Sequence, residues 1–383
     1  MDTLKTTLKA LTIGLVSVFG VLIGGFVLWA IGKAVIEPRV ASLSACVTQE
    51  ACQFTLVNGS DGVLVVGYSV DGSRLITRGG DTLLHDAEDG SRVARINPDF
   101  SPFQPRFMGS MPQIAAVGRG AIAFYDYDGK LLSTWTTTAE ERITGFAGLA
   151  DLNGFALASE NDITLNSLDD GQVFGRLPNS QGMRHLAASS NGLLLASFNT
   201  ETESIHVWPL DNLSGSIVIP DVGRMSPVTQ RDLQMSSDGS LVAALSDNGA
   251  RVWRTADGSL VESIDHPDFT PTSIALASDG SHLAVAYADG FAEVWNLATG
   301  DRVQQFEHAR RLSGLALSPD ARRLAVGISR DARTMQITAS DRDRAWRNYR
   351  QGERVGTADR FLSPHTTYTS TRPGYGIVWN VGD

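Results

Sequence analysis

Cysteine is nearly absent from this chain of 383 residues, occurring only at Cys46 and Cys52. That excludes a disulfide-dense scaffold and leaves no CxxC pair for zinc or redox chemistry. Lysine is almost as scarce. It stands only at Lys5, Lys9, Lys33 and Lys130, so the other basic side chains are arginine. The net charge is −10, which excludes a nucleic-acid footprint over the chain as a whole. The seven histidines form neither HExxH nor another compact metal motif. A GxSxG elbow, a P-loop and a dinucleotide fingerprint are missing as well. Paired acids occur at Asp126-Tyr127-Asp128-Gly129 and at Asp169-Asp170. Both read as turn formers, and the first is too short to supply the six or more oxygens of a calcium site alone. The expectation is a protein with no catalytic set, no metal and no cofactor.

Long apolar runs are also missing, with one exception. Residues 11–31 read LTIGLVSVFGVLIGGFVLWAI, without a charge. A helix of that length spans about 31 Å, matching a hydrocarbon core. Lys5 and Lys9 flank one end; Trp29, Lys33 and Arg39 flank the other. This predicts a short tail over residues 1–10, a transmembrane helix over 11–36, a linker over 37–51 and a folded domain over 52–383. Residues 11–31 would lie in the lipid bilayer. Charge does not orient the helix, because the two flanks match. The cysteines do: Cys46 and Cys52 are spaced for a disulfide in an oxidising compartment, with two reduced thiols as the alternative. The expected topology is single-pass, with a cytoplasmic N-terminus and an exported domain, as at a bacterial inner membrane facing the periplasm. Gly20-x-x-x-Gly24 would let two such helices approach closely and form a homo-oligomer.

Glycine, by contrast, is abundant at 38 residues. From residue 52 onward, short alternating apolar runs are separated by Asp-Gly and Asn-Gly turns, the signature of strands and hairpins. The pattern recurs at a period of about 40 residues, which marks a repeat architecture. The clearest unit is PTSIALASDGSHLAVAYADGFAEVWNLATGDRVQQFE, residues 271–307. It reads as four strands. RDLQMSSDGSLVAALSDNGARVWRTADGSLVESI, just before it, reads the same way. The inner strands carry small residues, as in Leu283-Ala284-Val285-Ala286, and suit the crowded axis of a ring. One four-stranded unit cannot bury both faces, so the units must stack and close.

These units resemble WD40-type β-propeller blades and, in architecture, quinoprotein propellers. The resemblance assigns structural roles to Asp238 and Asp279 in the first turn and to Asp289 before the third strand. Trp253, Trp295 and Trp379 end the third strand. The family's Gly-His pair is missing. Its Trp-Asp pair is replaced by Trp208-Pro209, Trp253-Arg254, Trp295-Asn296 and Trp379-Asn380. The family's internal Asp-His-Ser-Trp network is therefore expected to be missing. So are the vicinal cysteines of the quinone-binding dehydrogenases.

First turns fall at Asp71, Pro112, Asn153, Asn191, Asp238, Asp279, Asp320 and His365. That spacing predicts an all-β, eight-bladed β-propeller. The alternative has seven blades and treats residues 329–374 as one long insertion. The chain stops after a third strand, so residues 52–57 are expected to supply the missing outer strand and close the ring.

One region departs from the acidic background. Between Arg310 and Arg372 there are thirteen arginines and six acidic residues. The densest part holds Arg342, Arg344, Trp346, Arg347, Tyr349 and Arg350, assigned here to the outer strand of a seventh blade. Arginine with aromatic residues is the composition of binding hot spots. The expected function is a membrane-anchored, non-catalytic scaffold or accessory subunit that binds other membrane or envelope proteins. Two alternatives stand beside it. One is an extracytoplasmic sensing or accessory domain of a transporter or envelope-assembly machine. The other is an enzyme that binds a ligand in the propeller channel.

Overall fold

The structure, a computed structural model, describes residues 52–56, most of 63–336, 367–372 and 375–381. The predicted tail, membrane helix and linker, with Gly20, Gly24 and Cys46, lie outside the described residues. Among those described, no helix is long and apolar enough to cross a membrane.

Among the described residues, thirty strands follow one another along the chain. The first, β1 (Cys52–Leu56), stands apart. Blade 1 is β2 (Leu64–Tyr68), β3 (Arg74–Arg78), β4 (Thr82–Asp86) and β5 (Arg92–Ile96). Blade 2 is β6 (Gln104–Met108), β7 (Met111–Val117), β8 (Ala121–Asp126) and β9 (Leu131–Thr136). Blade 3 is β10 (Gly145–Leu149), β11 (Gly154–Ala158), β12 (Ile163–Ser167) and β13 (Val173–Arg176). Blade 4 is β14 (Met183–Ala188), β15 (Leu194–Asn199), β16 (Ser204–Pro209) and β17 (Ile217–Ile219). Blade 5 is β18 (Leu233–Met235), β19 (Leu241–Ser246), β20 (Gly249–Arg254) and β21 (Leu260–Ile264). Blade 6 is β22 (Pro271–Leu276), β23 (His282–Tyr287), β24 (Phe291–Asn296) and β25 (Asp301–Glu307). Then come β26 (Leu312–Leu317), β27 (Arg323–Ile328), β28 (Asp331–Gln336), β29 (Thr367–Arg372) and β30 (Gly376–Asn380).

Blades 1 to 6 are antiparallel meanders in chain order. Blade 7 is not. Its order is β26-β27-β30-β1, and β28 and β29 pair with each other instead. First strands touch the first strands of neighbouring blades all the way round, including β2 against β26. They therefore line the axis, while the fourth strands form the rim.

The repeat chemistry explains this arrangement. In β23 the residues Leu283, Ala284, Val285 and Ala286 are all fully buried, because each face of the blade meets another blade. In β25 alternate residues face solvent. Seven apolar clusters result, one between each pair of neighbouring blades. Fully burying a valine or leucine contributes about 1.5–3 kcal/mol, so these inter-blade cores hold the ring together.

The ring has seven blades, which corrects the expectation of eight. The predicted seventh and eighth blades share one sheet. Strand β28 reads DARTMQ and would bring Asp331 and Arg333 to a position covered on both faces, where unpaired charge is costly. Strand β30 reads GIVWN, and Ile377, Val378 and Trp379 reach zero exposure there. The first turn of blade 2 is also corrected, from Pro112 to Gly109-Ser110, because Pro112 already lies in β7.

Closure by the N-terminal strand is as expected, but in blade 7. Strand β1 pairs antiparallel with β30, from Cys52↔Trp379 to Leu56↔Gly376. Its Phe54 lies against the turn of blade 1 at Gly90, which has φ +74°. Any Cβ at Gly90 would enter the Phe54 ring. Further ties join blades 7 and 1. Val63 N–H donates to Ile328 O (3.3 Å), and the Arg323 guanidinium donates to Ala87 O.

Candidate functional site

The blade-signature residues show whether the repeat carries chemistry. Trp208, Trp253, Trp295 and Trp379 end the third strands of blades 4 to 7, each paired with a leucine or valine on the second strand. His85, Tyr125 and Asn166 take the same place in blades 1 to 3. The sequence reading missed these three, since no tryptophan marked them. Trp379 stacks on Phe306 of blade 6, with ring centroids 4.7 Å apart. The indole N–H groups of Trp208 and Trp295 are buried without an acceptor. Trp208 and Trp295 therefore serve packing.

The turn aspartates are also structural. Asp238 accepts from Ser236 Oγ (2.7 Å), Ser240 N–H (2.9 Å) and Ser240 Oγ (2.8 Å). Burial alone would raise its pKa, but these donors outweigh burial and hold it below the usual carboxylate range. Asp71 and Asp320 are held low in the same way. Asp279 accepts from Ser281 in the corresponding turn, and Asp289 lies outside the described residues. Asp126 and Asp170 spend their carboxylates on backbone N–H groups of their own turns. Among the described residues, no group of three or more His, Cys, Asp or Glu side chains could hold a metal ion.

The feature that departs from the repeat is in blade 7. Ladder β27–β30 runs from Arg323↔Asn380 to Gly327↔Gly376. Ladder β28–β29 runs from Asp331↔Arg372 to Gln336↔Thr367. The step between them is four residues on both strands, so the register is shared. The two inner strands of blade 7 thus continue past the ring as a two-stranded ribbon. It leaves on the face that carries the β3–β4 turn of blade 1, beside the Val63–Ile328 hydrogen bond.

The sequence assigned Arg342, Arg344, Trp346, Arg347, Tyr349 and Arg350 to an outer strand of blade 7. The outer strand described there is β1. These residues fall in the connection from β28 to β29 and lie outside the described residues. Cys52 opens β1, while its side chain and all of Cys46 lie outside them too.

Two buried polar groups escaped the sequence reading. Glu293 is 1% exposed; it pairs with Arg302 and accepts from Tyr287 OH at 3.1 Å. His85 is 2% exposed. Its Nε2 meets Thr77 Oγ1 at 2.9 Å, and its Nδ1 meets Gly90 O at 3.1 Å. Burial lowers the His85 pKa, and the Gly90 carbonyl only partly offsets this. The folded state therefore binds fewer protons than an unfolded chain, whose histidine titrates near 6.5. The contribution to stability is complete above that pH and is lost as pH falls below it, towards the folded pKa. Burial depresses His206 and His282 in the same direction. We expect the melting temperature to fall from about pH 7 to about pH 5.5, and His85→Gln to flatten that fall. A level wild-type profile over this range would contradict it.

No protein-family model matches the chain, and no curated protein matches it in sequence. The chain is a seven-bladed β-propeller whose last blade bears a ribbon.

Proposed function

We propose that this protein is a membrane-anchored, non-catalytic β-propeller that serves as an interaction scaffold or accessory subunit of a membrane complex. The observation that supports this reading is the in-register ribbon on blade 7. The seven blades are complete without residues 329–374. An insertion of that length, held away from the ring on paired strands, is better explained by contact with a partner than by the needs of the fold. The arginine-rich segment lies within it. The apolar segment 11–31 supplies the anchor, and a linker of about fifteen residues joins it to β1. The partner is then another protein of the same membrane.

The test is solubilisation in mild detergent, pull-down and mass spectrometry. Stoichiometric membrane proteins should co-purify with the wild type. Reversing Arg344, Arg347 and Arg350 to glutamate should reduce their recovery about tenfold or more, with the melting temperature unchanged. Undiminished recovery would refute the role given to this segment.

A further inference from the structure

One seam of the ring departs from the repeat on the face opposite the ribbon. That face is built from the turns between first and second strands and between third and fourth strands. The second-strand residue opposite the end of the third strand is Arg74, Gln113, Leu194, Leu241, His282 or Arg323 in the other blades. In blade 3 it is Gly154, opposite Ser167. The Phe174 ring from the rim lies over it, 3.1 Å from where a Cβ would stand. By strand alternation Gly154 shares its face with Ala156 and Ala158, which belong to the core between blades 3 and 4. Phe174 thus leans over that seam, and it is still 51% exposed.

Hydrogen bonds between turns join the rest of the seam to it. Asn153 Nδ2 donates to Asp169 Oδ2 (3.1 Å). Asp151 N–H donates to Asn191 O (2.8 Å), and Leu210 N–H donates to Leu193 O (2.8 Å). Leu193 is exposed, while Leu152 and Leu213 pack against the core beneath. Asp151, Asp169 and Asp211 are exposed on the same turns. Among the described residues of blades 3 and 4, no lysine or arginine lies at this end. Arg176 and Arg224 are ion-paired with Asp162 and Glu203 at the opposite end, and Arg184 stands near the start of β14. The seam therefore combines exposed apolar side chains with charge of one sign.

We propose that this seam binds a cationic amphipathic segment of a partner protein. The apolar side chains of such a segment would cover Phe174 and Leu193, and its lysines or arginines would meet Asp151, Asp169 and Asp211. Charge selects this occupant. A bilayer contact would desolvate these carboxylates, and anionic lipid would repel them. A second copy meeting face to face would set like charges together. The surface lies at the opposite end of the ring from the ribbon, so it leaves the ribbon free for a different partner.

The experiment places the full-length protein in phosphatidylcholine nanodiscs, with empty nanodiscs as the blank. The probe is a fluorescent peptide of leucine and lysine patterned as one amphipathic helix, followed by fluorescence anisotropy. The wild type should bind it saturably above the blank. Phe174→Ser should weaken binding about tenfold, and so should Asp151→Asn combined with Asp211→Asn. These side chains are exposed, so melting temperatures should stay unchanged. Leu260→Ser, on the rim of blade 5, should leave binding unchanged. A leucine–glutamate peptide and a serine–lysine peptide should both fail to bind, because each lacks one half of the match. Absent saturation, or equal binding by Phe174→Ser, would overturn the proposal. Phe174-dependent self-association in sedimentation would also overturn it, in favour of a second copy.

Discussion

Leu56→Ala is expected to cost about 2–5 kcal/mol of unfolding free energy, as much as a substitution deep inside a blade. Leu56 belongs to a strand of only five residues. It is nevertheless fully buried. Its cluster, between blades 7 and 1, otherwise holds Val65, Leu75, Ala87, Ala316, Ala325 and Val378. Only two leucines supply large aliphatic side chains there, and β1 contributes one. Ala316 and Ala325 are too small to fill the void. The loss falls where the ring closes, so it threatens the closed form and not one blade alone. Denaturant unfolding of the purified protein measures it. Leu260→Ala, on the exposed rim of blade 5, should stay within about 0.5 kcal/mol. A cost below about 1 kcal/mol for Leu56→Ala would show that β1 does not hold the ring.

Gly327→Ala should be comparably damaging for the opposite reason. Gly327 lies on β27, where blade 7 meets the chain entering blade 1. An added Cβ would collide with Val63 O and stand 3.0 Å from Val65 N and 2.7 Å from Ser313 Oγ. Two of these atoms are backbone, and backbone at the start of the β2–β3 ladder cannot swing aside as a side chain can. Ile328 O next to it accepts from Val63 N–H, so separation would also strain that hydrogen bond. Overpacking of this kind costs about 1–3 kcal/mol, and the upper end is expected here. Gly67→Ala provides the contrast. It lies in β2 of blade 1, and nothing stands within 4 Å of its added Cβ. Unfolding curves of the two variants should differ by at least about 2 kcal/mol. Equal stabilities would mean that the blade 7–blade 1 contact is looser than the structure shows.

Much of this fold was legible in local chemistry. Asp238, Asp279 and Asp320 announce tight turns because an aspartate oxygen can accept from nearby N–H groups. Trp253, Trp295 and Trp379 mark third strands because a bulky ring there packs between blades. Blades 1 to 3 were harder to align, since His85, Tyr125 and Asn166 fill that position with different chemistry. The ion pair of Glu293 and Arg302 was not legible at all. The two residues stand on different strands, and only the pairing of β24 with β25 brings them together.

The sequence by itself determined that the domain is an all-β ring of four-stranded repeats, and that residues just after the apolar segment complete its last blade. Both follow from local rules, namely period-two alternation, turn residues and a final repeat left one strand short. The number of blades was decided only by tertiary structure. DARTMQ and GIVWN both read as strands, and local propensity cannot choose which lies beside β27. Burial on two faces can. GIVWN fills the cores on both sides of blade 7 and takes the place, while DARTMQ pairs with β29 beyond the ring.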